Sequence, residues 1–235
     1  MIADADQDLL LFTAAQELVL AEQAAALLQI TDEEATQRLD QLRDRGLVTR
    51  VALKHELPPA YRVTRDGAEQ IDSALPPLQA LDPGRYRHEI AIGWLWAAAR
   101  HGQLGKLREV LTRREMQAAD ATLRSESLLD TPGATFKDNA VAGTQCDARQ
   151  AYPDLALVQA EGGGWATLHV ILTSPDRAQL RATLNRADPL IRAQLFLLQD
   201  DSGESRKLIE AVANELDIAH RVHVQQLAHD GIEGA

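Results

Sequence analysis

Apolar and polar positions change period several times along the chain. From 8 to 19 the run DLLLFTAAQELV carries a Leu-rich face and predicts a helix. A second helix is predicted over 21–28, with Ala24, Leu27 and Leu28 at helical spacing. Thr31 then opens a third helix. Thr31 and Glu34 have the spacing of a capping box, in which each side chain bonds the other's backbone N–H. Ala35, Leu39 and Leu42 recur at i, i+4 and i+7 and mark its buried face. Gly46 ends it in the position that favours a left-handed residue. Residues 47–53 read as a strand, 55–59 as a turn and 60–64 as a second strand. Together they predict an antiparallel ribbon. A fourth helix opens at Thr64 and runs to about 75.

Residues 75–84, LPPLQALDPG, hold three prolines and a glycine, which suit neither helix nor ladder. A linker at 76–84 is therefore expected, with one domain over 1–75 and another over 85–228. A frayed tail is expected at 229–235. Beyond the linker, 85–101 is apolar on all sides from Ile90 to Ala99 and predicts a buried helix. It holds Trp94 and Trp96, which suit core packing or a partner groove. A strand is expected at 105–111. Residues 119–151 are weakly patterned and read as a long loop, with a short helix near 118–128. A β-hairpin follows over 152–173. Leu155 to Val158 form its first strand, the glycines at 162–164 its turn, and 165–173 its second strand. A helix at 175–186, a strand at 191–198, a helix at 205–216 and a strand at 221–227 complete the pattern.

Composition, at 45% hydrophobic and 25% charged, suits a globular protein, and 235 residues suffice for two domains. No apolar run approaches the length of a membrane span, and the N-terminus lacks a basic leader. Cys146 is the single cysteine, so an intrachain disulfide is impossible and a cytoplasmic location is expected. The net charge of -11 opposes general binding to polyanions. Its distribution alters that picture. Residues 1–46 carry three Arg against ten Asp and Glu, while 47–65 carry Arg50, Lys54, Arg62 and Arg65 against Glu56. A second basic island, seven cations against three acids, covers 85–118.

Three helices followed by a ribbon, over about 6–75, resemble a winged helix-turn-helix domain. The Pro153-Asp154 pair at the hairpin entry resembles the core of PD-(D/E)xK nucleases. Joined, the two halves resemble the replication-relaxation family of plasmids and integrative elements. The matching residues are His88 in the first helix of the second domain, Glu115 after the following strand, and Pro153-Asp154. The resemblance implies an α+β or α/β chain, a winged helix-turn-helix domain followed by a restriction-endonuclease-like α/β domain. The match breaks at the catalytic positions. His169 and Ile171 stand where an acid and a lysine belong, and Arg177 stands where a lysine could follow.

The resemblance implies a non-enzymatic DNA-binding protein, active in transcription regulation, whose nuclease-like domain is degenerate. Double-stranded DNA is the expected partner, with no membrane and no cofactor. Arg50, Lys54, Arg62 and Arg65 would hold phosphates, while Gln37, Gln41 and Arg43 would reach base edges. Four carboxylates on that same helix face oppose such contact. A second reading is a metal-dependent nuclease with a migrated active-site residue. Glu115 and Asp154 would then bind Mg²⁺, with His169, Arg177 and His88 as vestigial or migrated catalytic groups. Imidazole is a poor Mg²⁺ ligand. His220 and His223 are poorly placed to share a zinc ion. A third reading is a protein–protein adaptor or homodimer without DNA binding.

Overall fold

The computed structural model describes residues 4–52, 57–75, 77–78, 80–126, 152–160, 165–185, 191–199 and 203–227. The chain divides into two units between Gly105 and Lys106. The first unit contains α1 (Asp4–Ala15), α2 (Ala21–Leu28) and α3 (Asp32–Asp44). A ribbon of β1 (Val48–Val51) and β2 (Ala60–Val63) follows, then α4 (Arg65–Gln70), a single 3₁₀ turn, and α5 (Tyr86–Arg100).

Local chemistry explains most of these bounds. The hydroxyl of Thr31 accepts from the Glu34 N–H at 3.2 Å, and the Glu34 carboxylate accepts from the Thr31 N–H at 3.1 Å. Ala35, Leu39 and Leu42 are completely buried. Gly46 follows the helix with φ +76°. The first helix stops at Ala15, four residues short of the sequence expectation. Val19 is instead drawn into a two-way backbone bridge with Tyr61, at 3.0 and 2.7 Å. The fourth helix also ends early, at Gln70, where Asp72 turns to φ +48°.

The proline-rich segment does not end the first unit. Tyr86 and Ile90 of α5 bury against Leu18, Leu20 and Ala60. The Tyr86 hydroxyl donates to the Pro58 carbonyl at 2.8 Å, and Gln23 donates to the Ile90 carbonyl at 2.6 Å. Trp96 stacks on Phe12 with ring centroids 5.1 Å apart and lies in the core. The sequence places a domain joint at 76–84, whereas the compact units divide at Gly105, beyond α5.

The second unit is built on five strands: β3 (Leu107–Thr112), β4 (Leu155–Gln159), β5 (Trp165–Ile171), β6 (Ile191–Leu198) and β7 (Val222–Gln226). They lie in the order β3-β4-β5-β6-β7. The first three are antiparallel, and β5, β6 and β7 run parallel. Helices α7 (Arg177–Leu184) and α8 (Glu204–Glu215) link the parallel strands, as parallel pairing requires. Leu180, Leu184, Phe196, Leu198, Ile209 and Val212 form the resulting core. Met116 of α6 (Arg113–Glu126) packs with Ala156, Trp165 and Ile191. The fold class is thus mixed α/β around a five-stranded sheet.

Two bounds differ from expectation. Residues 113–126 form one helix, where the sequence suggests a loop with a short helix near 118–128. Pro175 stands outside α7, because Asp176 is its N-cap, accepting from the Ala178 and Gln179 amides at 2.9 Å each. The glycines at 162–164, Lys54 and Cys146 lie outside the described residues. Among the described residues no helix is long and apolar enough to cross a membrane.

Candidate functional site

The carboxylates singled out as metal ligands are engaged in other work. Asp154 stands at the entry of β4, and its backbone N–H donates to the Leu168 carbonyl of β5 at 3.1 Å. Its Oδ2 accepts from the Val170 N–H at 2.8 Å, and its Oδ1 accepts from Arg113 Nη2 at 2.6 Å. Both partners of this ion pair are buried. A buried charge costs several kcal/mol, about, unless a partner and hydrogen bonds compensate it, and Asp154 has both. Arg113 thus supplies positive charge at the carboxylate that the sequence suggested for Mg²⁺.

Glu115 is engaged at the start of the next helix. Its Oε2 accepts from the Thr112 N–H at 2.7 Å and from the Thr112 hydroxyl at 2.8 Å, and its own N–H donates back to that hydroxyl at 3.3 Å. This is a capping box at the start of α6. His169 lies within β5, stacked on Phe196 with centroids 4.9 Å apart, and its Nε2 is 3.1 Å from the Thr167 hydroxyl. Residues i and i+2 share a strand face, which brings Thr167 and His169 together. Arg177 pairs with Glu215 of α8, as does Arg181 at 3.3 Å. His88 belongs to the first unit, beside Arg85 at 3.2 Å and Glu89 at 3.5 Å. Among the described residues no group of three or more His, Cys, Asp or Glu is placed to hold a metal ion. The metal-dependent nuclease reading is therefore corrected. The carboxylates that would bind Mg²⁺ are an ion-pair partner and a helix cap.

In the sequence Arg113 appears only as part of the Arg113-Arg114-Glu115 run, with nothing that marks it as the partner of Asp154. A Thr-x-x-Glu spacing at 112–115 signalled the cap. Nothing in the sequence marks Glu89 either, buried and held by Arg85 at 3.0 and 2.8 Å.

The other candidates lie in the first unit. Gln37 and Gln41 are exposed on α3. Together with Asp32, Glu33, Thr36, Asp40 and Asp44 they line one open depression. Arg43 is turned along the helix, onto Asp40 at 2.6 Å and Asp44 at 2.9 Å. Arg38 reaches Asp6 at 3.1 Å. The hydroxyl of Tyr61 in β2 donates to Asp40 at 3.2 Å. Burial, and then the charge of Asp40, push the Tyr61 pKa up. On the ribbon, Arg50 is exposed, while Arg62 donates to the Glu17 carbonyl at 3.1 Å. Arg65, exposed at the start of α4, pairs with Glu69 at 2.8 Å. The described cations of this region are thus largely occupied by internal acceptors, and the α3 face keeps a net negative charge.

No family model matches the chain, and no curated protein matches it. Solved structures similar to it include the following two. One is an O-methyltransferase family protein from Burkholderia thailandensis, 17% identical, with a TM-score of 0.21, covering 94% of this chain and 58% of that one. The other is PigF with SAH, 12% identical, with a TM-score of 0.21, covering 95% of this chain and 62% of that one. The chain spans about three fifths of the length of each, 58% and 62%. These findings correct the assignment to the replication-relaxation family. With it fall the DNA-binding regulator of a plasmid or integrative element, its role in transcription regulation, and the fused nuclease-like domain. The expectation of no cofactor, which came with that resemblance, is withdrawn with it. A TM-score of 0.21 carries neither a fold nor an SAH site over to this chain.

Proposed function

We propose that the chain is a binding protein, and that its ligand is a cationic polypeptide segment docked on the outer face of α3. One observation carries this reading. Asp32, Glu33, Asp40 and Asp44 share a single open depression with Thr36, Gln37 and Gln41, while Arg43 folds onto Asp40 and Asp44. Carboxylates at this spacing accept from guanidinium and ammonium groups, and the amide and hydroxyl side chains between them add directional bonds. The same face repels a phosphate backbone. The helix is anchored on its inner face by completely buried Ala35, Leu39 and Leu42. Thirteen residues of helix make a platform of about 20 Å, the reach of about six extended residues.

The test is fluorescence anisotropy with a short Arg- and Lys-rich peptide, titrated across salt. Exposed ion pairs contribute about 0.2–1 kcal/mol each. Glu33→Gln combined with Asp44→Asn should weaken binding by on the order of 1 kcal/mol and flatten its salt dependence. Unchanged affinity in that double variant, or preference for duplex DNA over the peptide, would defeat the proposal.

A further inference from the structure

Two of the carboxylates that line the α3 depression already hold a guanidinium, that of Arg43. Its Nη1 donates to Asp40 Oδ1 at 2.6 Å, while Nε and Nη2 both donate to Asp44 Oδ1, at 3.2 and 2.9 Å. Asp40 and Asp44 are four positions apart, one helical turn, so a single planar fork reaches both from its place on the same helix. The Tyr61 hydroxyl donates to the same Asp40 Oδ1 at 3.2 Å. That oxygen therefore has two internal donors. The group is open to water. The side chains of Arg43 and Asp40 keep 37% and 35% of their accessible surface, and that of Asp44 keeps 70%. Ion pairs this exposed contribute little to stability, so the fold does not depend on Arg43 staying where it is.

We propose that Arg43 is an autoinhibitory side chain, an internal competitor that a cationic ligand must displace from Asp40 and Asp44. It rests on α3 being the docking face for such a segment. A guanidinium or ammonium of the ligand needs the carboxylates that Arg43 now occupies. Arg43 is tethered beside them, so it competes at a high effective concentration. The small worth of each exposed pair keeps that competition beatable. A ligand with several cations gains from Asp32 and Glu33 as well, which Arg43 does not hold in this structure.

Fluorescence anisotropy of an Arg- and Lys-rich peptide with the full chain tests it. Arg43→Met removes the guanidinium and keeps the apolar stem, and methionine suits a helix about as well as arginine does. Arg45→Met removes the same charge from an exposed neighbour that does not line the depression, and so reports what net charge alone does. Arg43→Met should tighten binding by about 1.5- to 5-fold, the worth of an exposed ion pair expressed as a ratio. Arg45→Met should tighten it by clearly less. Arg43→Lys keeps the charge without the fork and should fall between the parent and Arg43→Met. A parent that binds, with Arg43→Met no tighter than Arg45→Met, overturns the autoinhibition and leaves the docking face standing. Absence of binding in the parent and in every variant defeats the docking face and the autoinhibition together.

Discussion

Asp154 and Arg113 are 41 residues apart in the chain and 2.6 Å apart in the fold. Removing one partner of a buried pair leaves the other charge without compensation, at a cost of about 3–5 kcal/mol. Asp154→Ala should lower unfolding free energy by about that amount in urea denaturation. Asp154→Asn, which keeps an acceptor for the Val170 N–H, should cost less. Equal losses would place the stabilisation in the charge rather than in the backbone bond. Tyr86 offers a pH test at the same scale. Burial, and then the charge of Glu22, push its pKa up to about 12, against about 10 for the unfolded chain. The folded state therefore holds this proton more tightly. The contribution is fully present below about pH 10 and is lost as pH rises towards about 12. Tyr86→Phe should remove this part of the alkaline slope, as read from thermal melts between pH 9 and 12. Neither role was legible in the sequence. Asp154 there sits beside a proline at a hairpin entry, and its cation lies on another element. Glu115 was more legible than its reading as a ligand suggested, since Thr112 stands three residues before it.

Elements defined by local chemistry were the most legible. The Thr31–Glu34 cap, the Leu39–Leu42 face and the Gly46 stop all lie within one helix, and each is where the pattern placed it. Helix α1 was overrun because Val19 pairs with Tyr61, a partner 42 positions away that periodicity cannot register. Helix α4 supplies a sharp prediction about a close approach. A β-carbon on Gly67 would collide with the backbone carbonyl of Leu47, which also accepts from the Thr64 N–H at 3.0 Å. Gly67→Ala should therefore destabilise the first unit despite the better helix propensity of alanine, by about 1–3 kcal/mol as for other overpacked sites. A melt unchanged or raised by the substitution would show that the ribbon yields there.

For the whole molecule, the compact units divide between Gly105 and Lys106, whereas the sequence suggests a joint at 76–84, one helix earlier. Prolines at 76, 77 and 83 break regular structure locally. They do not decide which core the following helix joins, and Tyr86 and Ile90 join that of Leu18 and Leu20. Full burial of such side chains is worth about 1.5–3 kcal/mol each. A fragment ending at Gly105 should fold cooperatively, and one ending at residue 75 should be markedly less stable. Similar melting of the two would count against α5 as part of the first unit. Charge is also a property at this scale. The chain carries -11 overall, and α3 itself holds five acids against two arginines. A ligand of opposite charge is favoured there, and its attraction should fade once salt shortens the screening length to about 3 Å at 1 M.

Binding of a cationic segment to α3 is tested by a residue-resolved NMR titration of the full chain with an Arg- and Lys-rich peptide. Amide shift changes should concentrate on the exposed positions of α3, from Asp32 to Asp44, and reverse on added salt. Changes centred instead on Arg50 and Arg62 of the ribbon or on the second unit, or no saturable change at all, would contradict it.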